Sequence, residues 1–271
     1  MTDRPKHTNR DRTETARQTL IDAAMVAYED AGLSGLCAEG RWDAAVDAMR
    51  SVDLVEGPQS DSAAELIASL SRAVAVIADA SAPPPSGGSI AAAAGALAAA
   101  LTQMVAGLTA GRPRYAHVAE EMRSAAERAA RFATDLTDLV RQDAVAVEAV
   151  TAAYRLPKAT DENVAARAAA IEQAMHSATV APFEIARAAA AVAELAATVA
   201  ERGNTNAVAD AAVAAVLASA VCRASALTVR VNVPALRDTH AGARLTTEAM
   251  AFASAASAAA GRAVTRAGEP A

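Results

Sequence analysis

An all-α fold follows from three features of the sequence. Apolar residues make up 53% of the chain but aromatic residues only 3%, so the apolar mass is Ala, Val and Leu, and alanine is the strongest helix former. Alanine-rich stretches of helical length carry little charge, and short clusters rich in Gly, Pro or Asn separate them: PPPSGG, TAGRPRY, YRLPK, ERGNTN and VNVP. Such segments predict a bundle of long helices in which alanine faces let backbones approach closely, so that methyl contacts supply most of the core. A chain of 271 residues is ample for a core of that kind.

Taken in order, residues 1 to about 14 read as a polar, disordered tail without the apolar core of a secretory signal. From Thr15 to Asp30 the pattern predicts a helix with Leu20, Ala24, Ala27 and Ala31 on one stripe, ended by Gly32. RWDAAVDAMRSVDL, from Arg41 to Leu54, predicts a second helix with Trp42, Val46 and Met49 facing inward, and EGPQSDS breaks it off. Residues 1–60 thus form a tail plus a small helical extension, and residues 61–271 the main helical domain. The first helix resembles the opening helix of a bacterial repressor, but no turn and recognition helix follow it. With a net charge of −6 and no Lys/Arg block, no nucleic-acid partner is expected. Cys37 and Cys222 fall in no metal-ligand spacing and read as two buried thiols of a reducing compartment, which makes the cytoplasm the expected location. His7, His117, His176 and His240 form no HxH or HExxH, so no metal is expected.

The run from Ala80 to Gly111 contains no charged residue and exceeds the roughly 20 residues a bilayer needs. It opens with three prolines and two glycines, its centre is Ala with Ser, Thr and Gln, and it lacks an aromatic belt, so a helix buried on all sides of a bundle or dimer is expected and no membrane span.

Candidate chemistry sits where helices are interrupted, because helix ends present unpaired backbone groups. At Ser86-Gly87-Gly88-Ser89 two glycines allow a tight turn into a helix whose first N–H groups suit an anion or a developing negative centre. GxxxxGK[ST] is absent, and Gly87-Gly88-Ser89-Ile90-Ala91 lacks the last glycine of a nucleophile elbow. In LVRQDAVAVEAVTAAYRLPK, Asp143 shares a helical stripe with Val147, Val150 and Tyr154, and Arg155 and Lys158 stand at the helix end. A carboxylate so placed is costly to bury unless it is paired or working. In GNTNAVADAAVAA, Asn206 and Asp210 lie four apart on one face. LTVRVNVP alternates like a strand from Leu227 to Val233, but it has no partner strand elsewhere, so a helix is expected there too.

Together these blocks resemble the cyclodeaminase and methenyltetrahydrofolate cyclohydrolase family of folate one-carbon enzymes. The likeness rests on PPPSGGSIAAAAGALAAALTQMVAGLT at 83–109, LVRQDAVAVEAVTAAYRLPK at 139–158, ERGNTNAVADAAVAA at 201–215 and LTVRVNV at 227–233. It departs at Ser86, where the family usually has a third glycine, and at Arg141 and Gln142, where acidic residues are common. The resemblance implies an all-α homodimer with a folate site beside its interface. It also implies a hydrolase that opens 5,10-methenyltetrahydrofolate to 10-formyltetrahydrofolate, or a cyclodeaminase that releases ammonia from the formimino derivative. The residues preceding the core are too few for a fused formiminotransferase, which favours the cyclohydrolase; a non-catalytic, folate-binding helical dimer is the third possibility. Both reactions pass through a tetrahedral carbon, for which Asp143 or Asp210 is the candidate proton-transfer group, with Asn206 orienting the reacting group. Substrate-binding candidates are Ser86, Gly87, Gly88, Ser89, Lys158, Arg230 and Asn232, of which Lys158 and Arg230 are the positive charges for the anionic polyglutamate tail of the tetrahydrofolate. No cofactor beyond the folate substrate is expected.

Overall fold

The computed structural model describes residues 9–33, 37–51, 62–79 and 85–268. The start of the expected tail, the last residues expected of the second helix, the EGPQSDS break and the first two prolines of PPPSGG lie outside them. Among the described residues there are eight α-helices, joined in places by short 3-10 turns, and no strand. The chain forms two compact units, Met1–Ala75 and Val76–Ala271.

In the first unit α1 (Asn9–Leu33) packs on α2 (Ala38–Ser51). Helix α1 begins six residues before Thr15, so part of the segment read as tail is helical. Its inward stripe is the expected one: Leu20, Ala24 and Ala27 are half-buried and Ala31 is buried. Across the pair, Arg41 lies 4.1 Å from the centroid of the Tyr28 ring and donates from Nε to the Tyr28 carbonyl at 3.2 Å. Gly32 leaves room for that guanidinium. Trp42, expected inside, is 63% exposed: Ala45 takes the inward position on α2, and the Trp42 ring meets the edge of Tyr28 from the rim, 6.2 Å between centroids. Cys37 is also exposed, against the expectation of two buried thiols. Helix α3 (Ser62–Ala78) spans the division between the units.

The second unit is a bundle of α4 (Gly87–Ala110), α5 (Ala119–Arg155), α6 (Asp161–Arg202), α7 (Val208–Asn232) and α8 (Thr239–Ala267). Alanines such as Ala92, Ala98, Ala99, Ala196, Ala197, Ala214, Ala215 and Ala256 are fully buried, with Met122, Leu136, Ile185, Val192 and Val229 filling the wider gaps. Gly95 brings α4 close to both neighbours at once, since a Cβ there would stand 3.2 Å from Leu136 and 3.4 Å from Val221. Helices α4 and α7 are antiparallel: the backbone N–H of Asn204, just before α7, donates to Thr109 Oγ1 near the end of α4 at 3.0 Å, and Val221 lies opposite Gly95 nearer its start. The stretch from Leu227 to Asn232 is helical, as expected despite its alternation.

Pro182 lies inside α6. Proline has no N–H for the carbonyl four residues back, and that carbonyl, of Ala178, instead accepts from the Asn232 side-chain amide at 2.7 Å. The 42-residue helix therefore continues past its proline, and the amide of Asn232, read from the sequence as substrate-binding, is committed to this internal bond. Arg262 on α8 ties down Glu194 and Glu201 of α6 at 2.6 and 3.0 Å.

Helix α4 and the stretch Thr205–Ala235 are both long and apolar enough to cross a bilayer by length and composition. Within the single chain α4 is not buried all round. Ala93, Leu97, Ala100, Met104 and Leu108 form an exposed, uncharged stripe at three- and four-residue spacing, and Val213, Val216, Ala220, Ala224, Leu227 and Val231 form an exposed apolar row on α7, with the exposed Arg223 and Arg230 beside it.

Two outcomes follow. Asn232→Ala should lower stability by about 1 kcal/mol, the typical net worth of one hydrogen bond, measured by urea unfolding, while leaving the secondary structure by circular dichroism unchanged. Burial pushes the Cys222 thiol up to about 12, so at pH 8 it stays protonated and inert; titration with an aromatic disulfide should count one reactive thiol, Cys37, in the native protein and two after denaturation.

Candidate active site

Helix α4 starts at Gly87 because Ser86 caps it. Its backbone is extended, and its Oγ accepts from the N–H of Gly88 at 3.1 Å and of Ser89 at 3.2 Å, satisfying two of the donors a helix start leaves open. The same hydroxyl donates to Oδ2 of Asp143 on α5. Ser89 Oγ donates to the same oxygen at 2.8 Å and lies 3.3 Å from the Val140 carbonyl. Asp143 is 3% exposed, so a buried carboxylate is held against a helix N-terminus by two hydroxyls, where the helix dipole favours negative charge. Among the described residues no donor is recorded at Oδ1, which faces Gly88. A Cβ on Gly88 would overlap the carboxylate; glycine is required there for close approach.

The stripe expected to run from Asp143 through Val147, Val150 and Tyr154 is not a buried face. Val147 and Tyr154 are exposed, and burial follows Leu136, Leu139, Asp143, Ala146 and Ala153. The reason is length: level with Asp143, α4 has reached its first turn, and α5 continues for just over three turns more, about 18 Å, alongside the start of α6. Beside Ser86 and Ser89 a cleft of about 670 Å³ follows that extension, with Thr137, Arg141, Glu148, Thr151 and Arg155 of α5 along its wall. Spacings of three and four residues put these on one side of the helix. The sequence reading noted Arg141 only as a departure and Arg155 only as a neighbour, and it passed over Glu148; the periodicity 141, 148, 155 was the available signal.

Near the other end of α4, Asn204 is buried. Its Oδ1 accepts from the N–H of Asn206 at 3.1 Å, and its own N–H is held by Thr109. The hydroxyl of Tyr115 accepts from the N–H of Thr205 at 3.0 Å, and hydrogen bonding to Thr205 draws the Tyr115 phenol below its ordinary range. This cluster fixes the GNTN turn and leaves Asn206 and Asp210 exposed on the surface. Asn204 and Tyr115 were missed from sequence, because a structural asparagine and a presented one look alike in GNTN.

The structure therefore brings Ser86, Gly88, Ser89 and Asp143 together. Gly87 stands exposed in the same first turn. It separates them from Asn206 and Asp210 by nearly the length of α4, about 30 Å at 1.5 Å per residue. Arg230 lines a different groove, between α7 and α8, with Arg223, Leu227 and Met250. Lys158 is exposed in the loop between α5 and α6 and is absent from the lining of the cleft.

The profile of the formiminotransferase-cyclodeaminase family matches residues 69–251, which include every one of these positions. The chain belongs to this family. It is 43% identical over 158 residues to the methenyltetrahydrofolate cyclohydrolase of Methylorubrum extorquens, a match covering 58% of this chain and 76% of that one. It is 35% identical over 131 residues to the formimidoyltransferase-cyclodeaminase of Mus musculus, covering 48% of this chain and 24% of that much longer protein. The crystal structure of formiminotetrahydrofolate cyclodeaminase from Thermotoga maritima superposes with a TM-score of 0.65 at 25% identity, over 73% of this chain and 94% of that one. The family match spans the bundle and omits most of the first unit and the last turns of α8.

Gly88→Ala is the sharpest test of this geometry. The added methyl must displace the Asp143 carboxylate from its two serines, so a folate reaction supported by the site should slow by tenfold or more, about 1.4 kcal/mol in the barrier. The helical spectrum should persist, since alanine suits the first turn of a helix.

Proposed function

We propose that this protein is a methenyltetrahydrofolate cyclohydrolase, opening 5,10-methenyltetrahydrofolate to 10-formyltetrahydrofolate. The observation that carries the reading is the buried Asp143 carboxylate, with Oδ2 fixed by Ser86 and Ser89 and Oδ1 left for chemistry, in a chain 43% identical to an enzyme of that name. The substrate's bridging carbon is part of a cationic amidinium, which a held carboxylate attracts. Water adds to that carbon while Asp143 Oδ1 takes its proton. The resulting tetrahedral centre collapses as its hydroxyl proton is released to solvent and the bond to N5 breaks, the proton held by Asp143 passes to N5, and the formyl group remains on N10. Positioning by two hydroxyl hydrogen bonds keeps the base from rotating away. The proposal includes no metal and no cofactor beyond the folate, and the free thiols Cys37 and Cys222 suit a reducing compartment such as the cytoplasm.

The proposal also makes the working unit a homodimer. The uncharged stripe of α4 and the apolar row of α7 offer a face that a second copy can cover with coiled-coil-like spacing. Isologous pairing about a twofold axis perpendicular to α4 sets that helix antiparallel to its counterpart. The Asp143 end of one protomer then meets the Asn206 and Asp210 end of the other, which joins in one site the groups that a single chain keeps apart. Asn206 and Asp210 orient substrate there, and Asp143 moves the proton.

A cyclodeaminase is the second reading, favoured by the likeness to the Thermotoga maritima structure. Release of ammonia from 5-formiminotetrahydrofolate separates the two.

The test follows the loss of methenyltetrahydrofolate absorbance above the spontaneous rate. The parent protein should accelerate it, and Asp143→Asn and Asp210→Asn should each be slowed by at least tenfold, about 1.4 kcal/mol in the barrier. Co-expressed in equal amounts, the two variants should regain about a quarter of parental activity, because half of the dimers are hybrids with one intact site of two. Recovery absent from such mixtures would place each site within a single chain, and an unaccelerated parent would remove the cyclohydrolase reading.

A further inference from the structure

Resting on the reading of the cleft as a folate site, we infer that Arg155 anchors the glutamyl tail of the substrate and so sets its direction along α5. The cleft is lined by Ser86 and Ser89, whose hydroxyls hold the buried Asp143 just behind its wall, and it runs along the part of α5 that outreaches α4. Its wall bears three charges at seven-residue intervals: Arg141, Glu148 and Arg155. Among the described residues none of the three is in an ion pair, whereas Arg123, Arg187, Arg202, Arg237 and Arg262 of the same bundle each hold a glutamate.

Charge decides which arginine meets the tail. The substrate is cationic at the reacting carbon and anionic only at its far glutamyl carboxylates. Arg141 stands two residues from Asp143, at the cationic end, where it would repel the amidinium rather than bind an anion. Glu148 stands midway and disfavours a carboxylate there. Arg155 lies about 18 Å along the helix from Asp143. The intervening lining of Ala144, Val147 and Ala152 is apolar and suits the aromatic ring that joins the two ends of a folate. A guanidinium fork matches a carboxylate with two parallel hydrogen bonds. Arg230, on another groove, and Lys158, outside the lining, do not share this cleft.

The experiment compares ligands with and without the glutamate. Wild-type protein should bind folic acid more tightly than pteroic acid in a calorimetric titration, and 5,10-methenyltetrahydrofolate should have a lower KM than 5,10-methenyltetrahydropteroate. In Arg155→Gln the advantage of the glutamyl form should vanish, with KM for the glutamyl substrate rising about fivefold or more, as expected for one charge-assisted contact on a partly solvated surface. kcat and both parameters for the pteroate substrate should stay unchanged. A purely structural effect of losing a cation at the end of α5 would move both substrates together and would overturn the inference. So would a wild type that does not discriminate folic from pteroic acid or binds neither, or a glutamyl advantage that survives in Arg155→Gln but is lost in Lys158→Ala. Should wild-type protein bind folic acid selectively through Arg155 yet fail to accelerate methenyl hydrolysis, the cyclohydrolase reading falls and the anchor stands.

Discussion

Close approach of helices through alanine and glycine is the constraint from which the rest of this structure follows. Methyl-sized side chains contribute little dispersion unless backbones come near one another, so the bundle must be long and its contacts continuous. Helix α4 shows the consequence. At Gly95 it has no room for a Cβ without crowding Leu136 and Val221, and at Gly88 it has none without striking Asp143. The same economy of side chain that lets α4 lie between α5 and α7 also lets a carboxylate rest against its first turn. Scaffold and site are thus one packing solution, and a larger residue at either glycine disturbs both.

Burying Asp143 demands compensation, since an unpaired carboxylate away from water costs several kcal/mol. Two serine hydroxyls and the dipole of α4 supply it. Ser86 has two tasks, capping the helix by accepting two backbone N–H groups and donating to the carboxylate. At this position the serine gives up a glycine's backbone freedom for a hydroxyl aimed at the acid. A parallel economy operates at Pro182, where the carbonyl freed by the proline is satisfied by Asn232. Polar groups that sequence reasoning assigns to substrate can be occupied in holding helices together.

Much of the fold was legible in the chain. Alanine content and punctuation predict helices in the right places, including the stretch from Leu227 to Asn232 that alternates like a strand, because a lone strand has no ladder to join. Trp42 and Cys37 were misjudged for a common reason. In a two-helix unit as small as α1 and α2, most of each helix faces outward, and an apolar residue there carries no assurance of burial. The reach of α5 beyond α4 was equally hidden, because periodicity along one helix says nothing about where its neighbour ends.

By itself the sequence determined the helical class and the family, and it singled out Asp143 and the Ser86–Ser89 turn, which the fold brings together, because local propensity, turn composition and ordered motifs are written residue by residue. Only the tertiary structure decided that Asp143 and Asp210 lie at opposite ends of α4, that Asn232 serves the bundle, and that Arg141, Glu148 and Arg155 line one cleft. Those facts depend on the antiparallel arrangement and relative lengths of packed helices, and such relations between distant segments are fixed by burial in three dimensions.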